Sequence, residues 1–106
     1  MISDERVQKA LSYLAETDDK CAKAKSLMEG LRHQLKTVES IAFLHATGTM
    51  AEKEAYAYVS EGYKEHVSKI ENATYEYETV KNKRLTEELI VEVWRSIGAN
   101  RRRGNV

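Results

Sequence analysis

Apolar and small residues recur along this chain at steps of three and four. The first series runs Val7, Leu11, Leu14 and Cys21, with Asp18 as a polar interruption. It resumes at Met28, Leu31, Leu35, Val38, Ala42 and His45. That spacing describes one face of a helix and a narrow seam of coiled-coil type. The register slips around Lys25 and Gly30, which alters a local supercoil without ending a helix. A second series runs Ala55, Val59, Tyr63, His66, Ile70, Ala73, Tyr77 and Val80. Beyond Arg84 the apolar positions move around the cylinder to Leu85, Leu89, Ile90, Val93, Trp94 and Ile97. This last segment has two apolar faces, and two faces predict two partners.

The boundaries follow from local chemistry. Ser3 and Asp4 are candidate N-caps, with Asp4 and Glu5 favourably placed at the positive end of a helix dipole. Gly48 suits the left-handed residue that ends a helix, and Thr49 with Glu52 forms a capping box that starts the next. The chain must therefore reverse here. The pattern predicts a helix over 4–46, a turn at 47–49 and a helix over 50–97, with no proline to interrupt either. Gly98 is expected to end the second helix and leave a basic tail over 98–106. Bends at Gly30 and Gly62 stay open. The stretch 49–97 would span about 70 Å at 1.5 Å per residue, so the first helix, or another chain, must lie alongside it.

The expected fold is all-α: an antiparallel, coiled-coil-like hairpin of two long helices, residues 1–97, assembling into a helical-bundle oligomer. Ordering a residue costs roughly 1.5 kcal/mol, against about 25 cal/mol per Å² of apolar burial. A lone hairpin buries one seam per helix, so a dimer or larger assembly is expected. Its interface is expected at Leu85, Leu89, Ile90, Val93, Trp94 and Ile97.

Charge refines this picture only at one end. Seventeen basic and seventeen acidic side chains balance, which excludes a whole-protein field that would draw in a polyanion. Yet Arg95, Arg101, Arg102 and Arg103 gather after Glu92, the last acid. A single cysteine, Cys21, excludes an intramolecular disulfide and fits a reducing compartment. No leader pattern and no bilayer-length apolar run is present, so a cytoplasmic protein without membrane contact is expected.

Catalytic chemistry finds no foothold. His33, His45 and His66 lack both the Glu-x-x-His and the paired-histidine spacing of metal sites. Glu61, Glu65 and His66 are nominal ligands, but the adjacent Glu65 and His66 point in different directions. There is no nucleophile elbow and no glycine-rich phosphate loop, so neither enzyme activity nor a cofactor or metal is expected. Tyr56, Tyr63 and Tyr77 share a heptad position. Such a stripe can stack unpaired bases, although packing explains it more simply. The arginines match phosphate oxygens, and several tails on one rim of an oligomer would add affinity. The plainer alternative is that cations favour a helix C-terminus.

The block Glu92-Val93-Trp94-Arg95-Ser96 followed by Ala99-Asn100-Arg101-Arg102 resembles small helical proteins of tailed phages and prophages. So does Ala46-Thr47-Gly48-Thr49 with Glu52, Glu54 and Ala55. In size and helicity the chain is also similar to the UvsY-type recombination mediators, which load a recombinase onto single-stranded DNA. The resemblance implies a non-enzymatic accessory of phage DNA recombination or replication, acting in the host cytoplasm. Arg95, Arg101, Arg102 and Arg103 would contact phosphates, and Trp94 would anchor the tail or stack on a base. Its partners would be copies of itself and single-stranded DNA or a recombination protein. The competing expectations are an inhibitor or adaptor that docks a helix face such as Leu85, Leu89 and Val93, and a structural scaffold.

Overall fold

The computed structural model of the protein describes residues 1–104; Asn105 and Val106, the end of the expected tail, lie outside the described residues. Three helices carry the chain: α1 (Asp4–His45), α2 (Met50–Val59) and α3 (Glu61–Arg102). Among the described residues there is no strand, so the fold is all-α.

Helix ends follow the capping chemistry. Ser3 caps α1, its Oγ accepting from Arg6 N at 3.1 Å and its carbonyl from Val7 N at 3.1 Å. Gly48 takes a positive φ of 112°, where a side chain would be strained. Thr49 caps α2 by accepting from Glu52 N at 3.2 Å.

Two boundaries depart from the sequence pattern. The helix expected over 50–97 is broken at Ser60, whose ψ of 147° is extended. Ser60 closes α2, its backbone N–H donating to Ala57 O at 3.4 Å and its hydroxyl donating to the same oxygen at 2.8 Å. It also opens α3, its Oγ accepting from Tyr63 N at 3.3 Å. Serine side chains compete in this way for backbone partners, which is why they favour helix ends. The second departure is at Gly98, which does not end the helix. α3 continues to Arg102, and Gly104, with φ 73°, receives the chain after it. The basic last turn favours this continuation by opposing the negative end of the dipole. Only residues 103 and 104 of the described tail are non-helical.

The chain divides into two compact units. The first combines Met1–Ala22 with the chain from Glu78 onward. Its apolar cluster is Val7, Ala10 and Val91, with Ile2 and Ile90 packed against it. Fully buried Ala10 takes the inward position expected for Leu11, which is exposed. A methyl group lets the two backbones approach where leucine would hold them apart. Polar clamps complete this unit. Arg84 Nη1 donates to Leu14 O at 2.7 Å and Thr17 Oγ1 at 2.8 Å, and Nη2 reaches Asp18 Oδ1 at 3.3 Å. The polar interruption at Asp18 is thus the rim of an arginine site. Arg6 Nη2 donates to Glu87 Oε1 at 2.8 Å.

The second unit is Lys23–Tyr77. Its buried positions are Met28, Ala57, His66 and Ala73. The ring of His66 donates from Nε2 to Leu31 O at 2.6 Å, and Arg32 Nη2 donates to Thr74 Oγ1 at 3.3 Å. Ala57 replaces the expected seam positions Ala55 and Val59, both exposed. The break at Ser60 resets the helical phase, so the seam of α3 cannot be extrapolated back through α2. α1 runs through Gly30 without a break.

Candidate interaction surface

The residues expected to contact partners all lie in the first unit, and α3 spreads them around its circumference. Leu85, Leu89 and Val93 follow one another at four-residue steps and form an exposed stripe. Ile90 turns the other way and packs on the Val7, Ala10 and Val91 cluster. Trp94 falls nine residues after Leu85, about half a turn around the cylinder. The six expected interface residues therefore do not share a face, and only three of them form the outward stripe.

Trp94 and Ile97 line a cleft of about 370 Å³ with Met1, Ile2, Ser3, Asp4, Gly98 and Arg101. The indole Nε1 donates to Asp4 Oδ1 at 3.1 Å. Arg101 Nη2 lies 3.2 Å from Met1 Sδ in the same cleft. The tryptophan thus meets the start of the chain, with 38% of its surface still open to solvent. Arg95 Nη1 donates to Glu92 Oε1 at 3.3 Å, one turn back on the same helix. Arg102 and Arg103 are exposed. Consecutive residues on a helix diverge by about 100°, so Arg101 and Arg102 splay rather than converge. The structure brings Trp94 and Arg101 together and leaves Arg95, Arg102 and Arg103 apart from them.

The electrostatics of this unit centre elsewhere. The hydrogen bond from Arg6, opposed by burial and helped by the charges of Arg6 and Lys83, holds the Glu87 carboxyl below its ordinary value. The same bond raises Arg6 further above its already high value. Glu87 Oε2 is buried with no hydrogen-bond partner. Among the described residues, no group of three or more His, Cys, Asp or Glu could hold a metal ion. His66 is instead turned onto a backbone carbonyl.

Sequence reasoning missed two features. The Arg84 site was visible only as two polar breaks in separate apolar patterns, at Asp18 and at Arg84. Pairing those breaks across antiparallel helices would have found it. The second is an exposed face of the second unit. Lys36, Ser40 and Leu44 follow at four-residue steps on α1, and Met50, Glu54 and Tyr58 do so on α2. Leu44 and Met50 are 77% and 67% exposed.

No protein-family model matches the chain, and neither a curated protein nor a solved structure matches it significantly. Among the described residues, no helix is long and apolar enough to cross a membrane.

Proposed function

We propose that this chain is a non-enzymatic helical docking protein, folded as a hairpin of two helical arms and acting as a dimer or larger oligomer. The observation that carries this reading is the amount of surface the chain leaves open. It exposes 7860 Å² at 12.1 kDa, whereas folded monomers of that mass expose about 6,000 Å². The excess, about 1,800 Å² on that scaling, is of the order that one protomer contributes to an obligate interface. The Leu85, Leu89 and Val93 stripe supports docking of a partner's apolar helix face. Replacing Leu85 and Leu89 with glutamate is expected to abolish partner recovery from nuclease-treated lysate while keeping the helical circular dichroism. Undiminished recovery with that variant contradicts the stripe's role.

A second reading is favoured by the exposure of Arg102 and Arg103 beyond the last acid. Here the oligomer binds single-stranded DNA as an accessory of phage recombination or replication, as the resemblance implies. Affinity would fall with salt by a slope of about −0.7 per phosphate neutralised. The triple variant R101A/R102A/R103A is expected to lose retention of a labelled oligonucleotide. Retention equal to that of the wild type removes this second reading.

A further inference from the structure

We propose that the turn-proximal face of the second unit is where a second copy of this chain docks, pairing about a two-fold axis. This rests on the oligomeric reading above and names the surface responsible.

The face is built by two stripes. Lys36, Ser40 and Leu44 come from α1, and Met50, Glu54 and Tyr58 from α2. Between them lies a groove of about 380 Å³ whose lining includes Glu39 and Phe43. The turn that joins the stripes is held by Gly48 and by the Thr49 cap. Tyr58 is positioned by Glu39. The charge of that carboxylate, followed by the hydrogen bond it makes with the phenol, raises the tyrosine's pKa. Tyr58 also packs edge-on against Tyr63 at 5.4 Å between ring centres. Leu44 and Met50, by contrast, project into solvent.

Two arguments select a second copy as the occupant. The first is charge. An isologous contact places the same patch on both sides, so it must be complementary to itself. This patch carries Lys36 and Glu39 on α1 and Glu54 on α2, with Leu44 and Met50 nearer the turn, and Glu39 is already engaged with Tyr58. A two-fold axis through the groove sets Lys36 of each protomer toward Glu54 of its partner and buries Leu44 and Met50 against their counterparts. A patch of one sign would repel its own copy. The second argument is area: the chain's surface excess over a compact monomer is of the size one protomer gives to a stable dimer, and contiguous exposed apolar patches mark such contacts.

The experiment is sedimentation equilibrium with full-length protein, monitored in parallel by far-ultraviolet circular dichroism. The wild type is expected to be dimeric or larger at micromolar concentration. L44E/M50E is expected to weaken that association at least about 100-fold with helicity retained. Lys36→Glu and Glu54→Lys are each expected to weaken it about tenfold, and the double exchange K36E/E54K to restore it. Association that survives L44E/M50E but is lost in L85E/L89E overturns this surface and leaves the oligomeric reading standing. A wild type monomeric throughout overturns both. If L44E/M50E loses helicity, the charge exchange decides, and failure of K36E/E54K to restore assembly overturns the proposal.

Discussion

The two units share one helical period and differ in what joins their helices. In the first, guanidinium groups reach across: Arg84 to a main-chain carbonyl, a hydroxyl and a carboxylate, and Arg6 to Glu87. In the second, a buried imidazole meets a carbonyl, the Arg32 guanidinium makes an exposed 3.3 Å bond to Thr74, and large apolar side chains near the turn remain outside. The contrast separates specificity from burial. Apolar seams with three- and four-residue steps can slide by a turn at small cost. A directed polar group penalises every register but one. Where such groups hold the pair, apolar side chains are not needed for alignment. Both units leave apolar side chains outside, Leu85, Leu89 and Val93 in the first and Leu44 and Met50 in the second, available for another chain.

The largest expected effect tests the Arg84 clamp. Arg84 is 16% exposed, whereas its Asp18 partner is 83% exposed, so that ion pair contributes little. The contacts to Leu14 O and Thr17 Oγ1 matter more. Arg84→Ala is expected to cost about 2–3 kcal/mol in urea unfolding, from lost packing and charge-assisted hydrogen bonds. Arg84→Met, which keeps the stem, is expected to cost about 1 kcal/mol, because Thr17 retains its bond to Tyr13 O. Equal losses for the two variants would show that the polar contacts dominate. The matching change in the second unit, His66→Ala, is expected to cost less, about 1–2 kcal/mol for one hydrogen bond and a modest cavity.

Two glycines in the second unit give opposite signs. At Gly48 the φ of 112° is strained for any side chain, and an added Cβ would collide with the Glu52 carboxylate. Gly48→Ala is therefore expected to destabilise by about 1–2 kcal/mol. At Gly30, inside α1, an added Cβ meets nothing within 4 Å. Gly30→Ala is expected to stabilise by about 0.4–1 kcal/mol through the unfolded chain. Thermal melts of both variants check the pair.

The smallest effect is one of pH. Arg6 lowers the pKa of Glu87 in the folded state, so the folded protein binds fewer protons than the unfolded chain at mildly acid pH. That contribution is complete above the ordinary carboxylate value, and is lost as pH falls through the lowered one. Glu87→Gln is expected to remove this part of the acid dependence. An identical acid profile for wild type and variant would contradict it.

How much of this could be read from the residues alone varied with the range of the interaction. The reversal near Gly48 was legible because a left-handed glycine and a threonine cap act within four residues. The helical seams were legible in period but less so in phase. Val7 and Met28 are buried as expected, while Ala10 displaced Leu11 because close helix approach depends on the opposing surface. The break at Ser60 escaped notice because serine is an acceptable interior helix residue, and its dual capping needs Ala57 and Tyr63 in place. The arginine end was legible as exposed charge. The turn of Trp94 toward Asp4 depended on a contact ninety residues distant.

The most direct test of the central claim, that this chain leaves a surface another copy must cover, is a solution mass by sedimentation equilibrium at micromolar concentration. A dimeric or larger species that dissociates in L44E/M50E, with helicity intact, is the predicted result. A wild-type chain that stays folded and monomeric across the concentration range would contradict it.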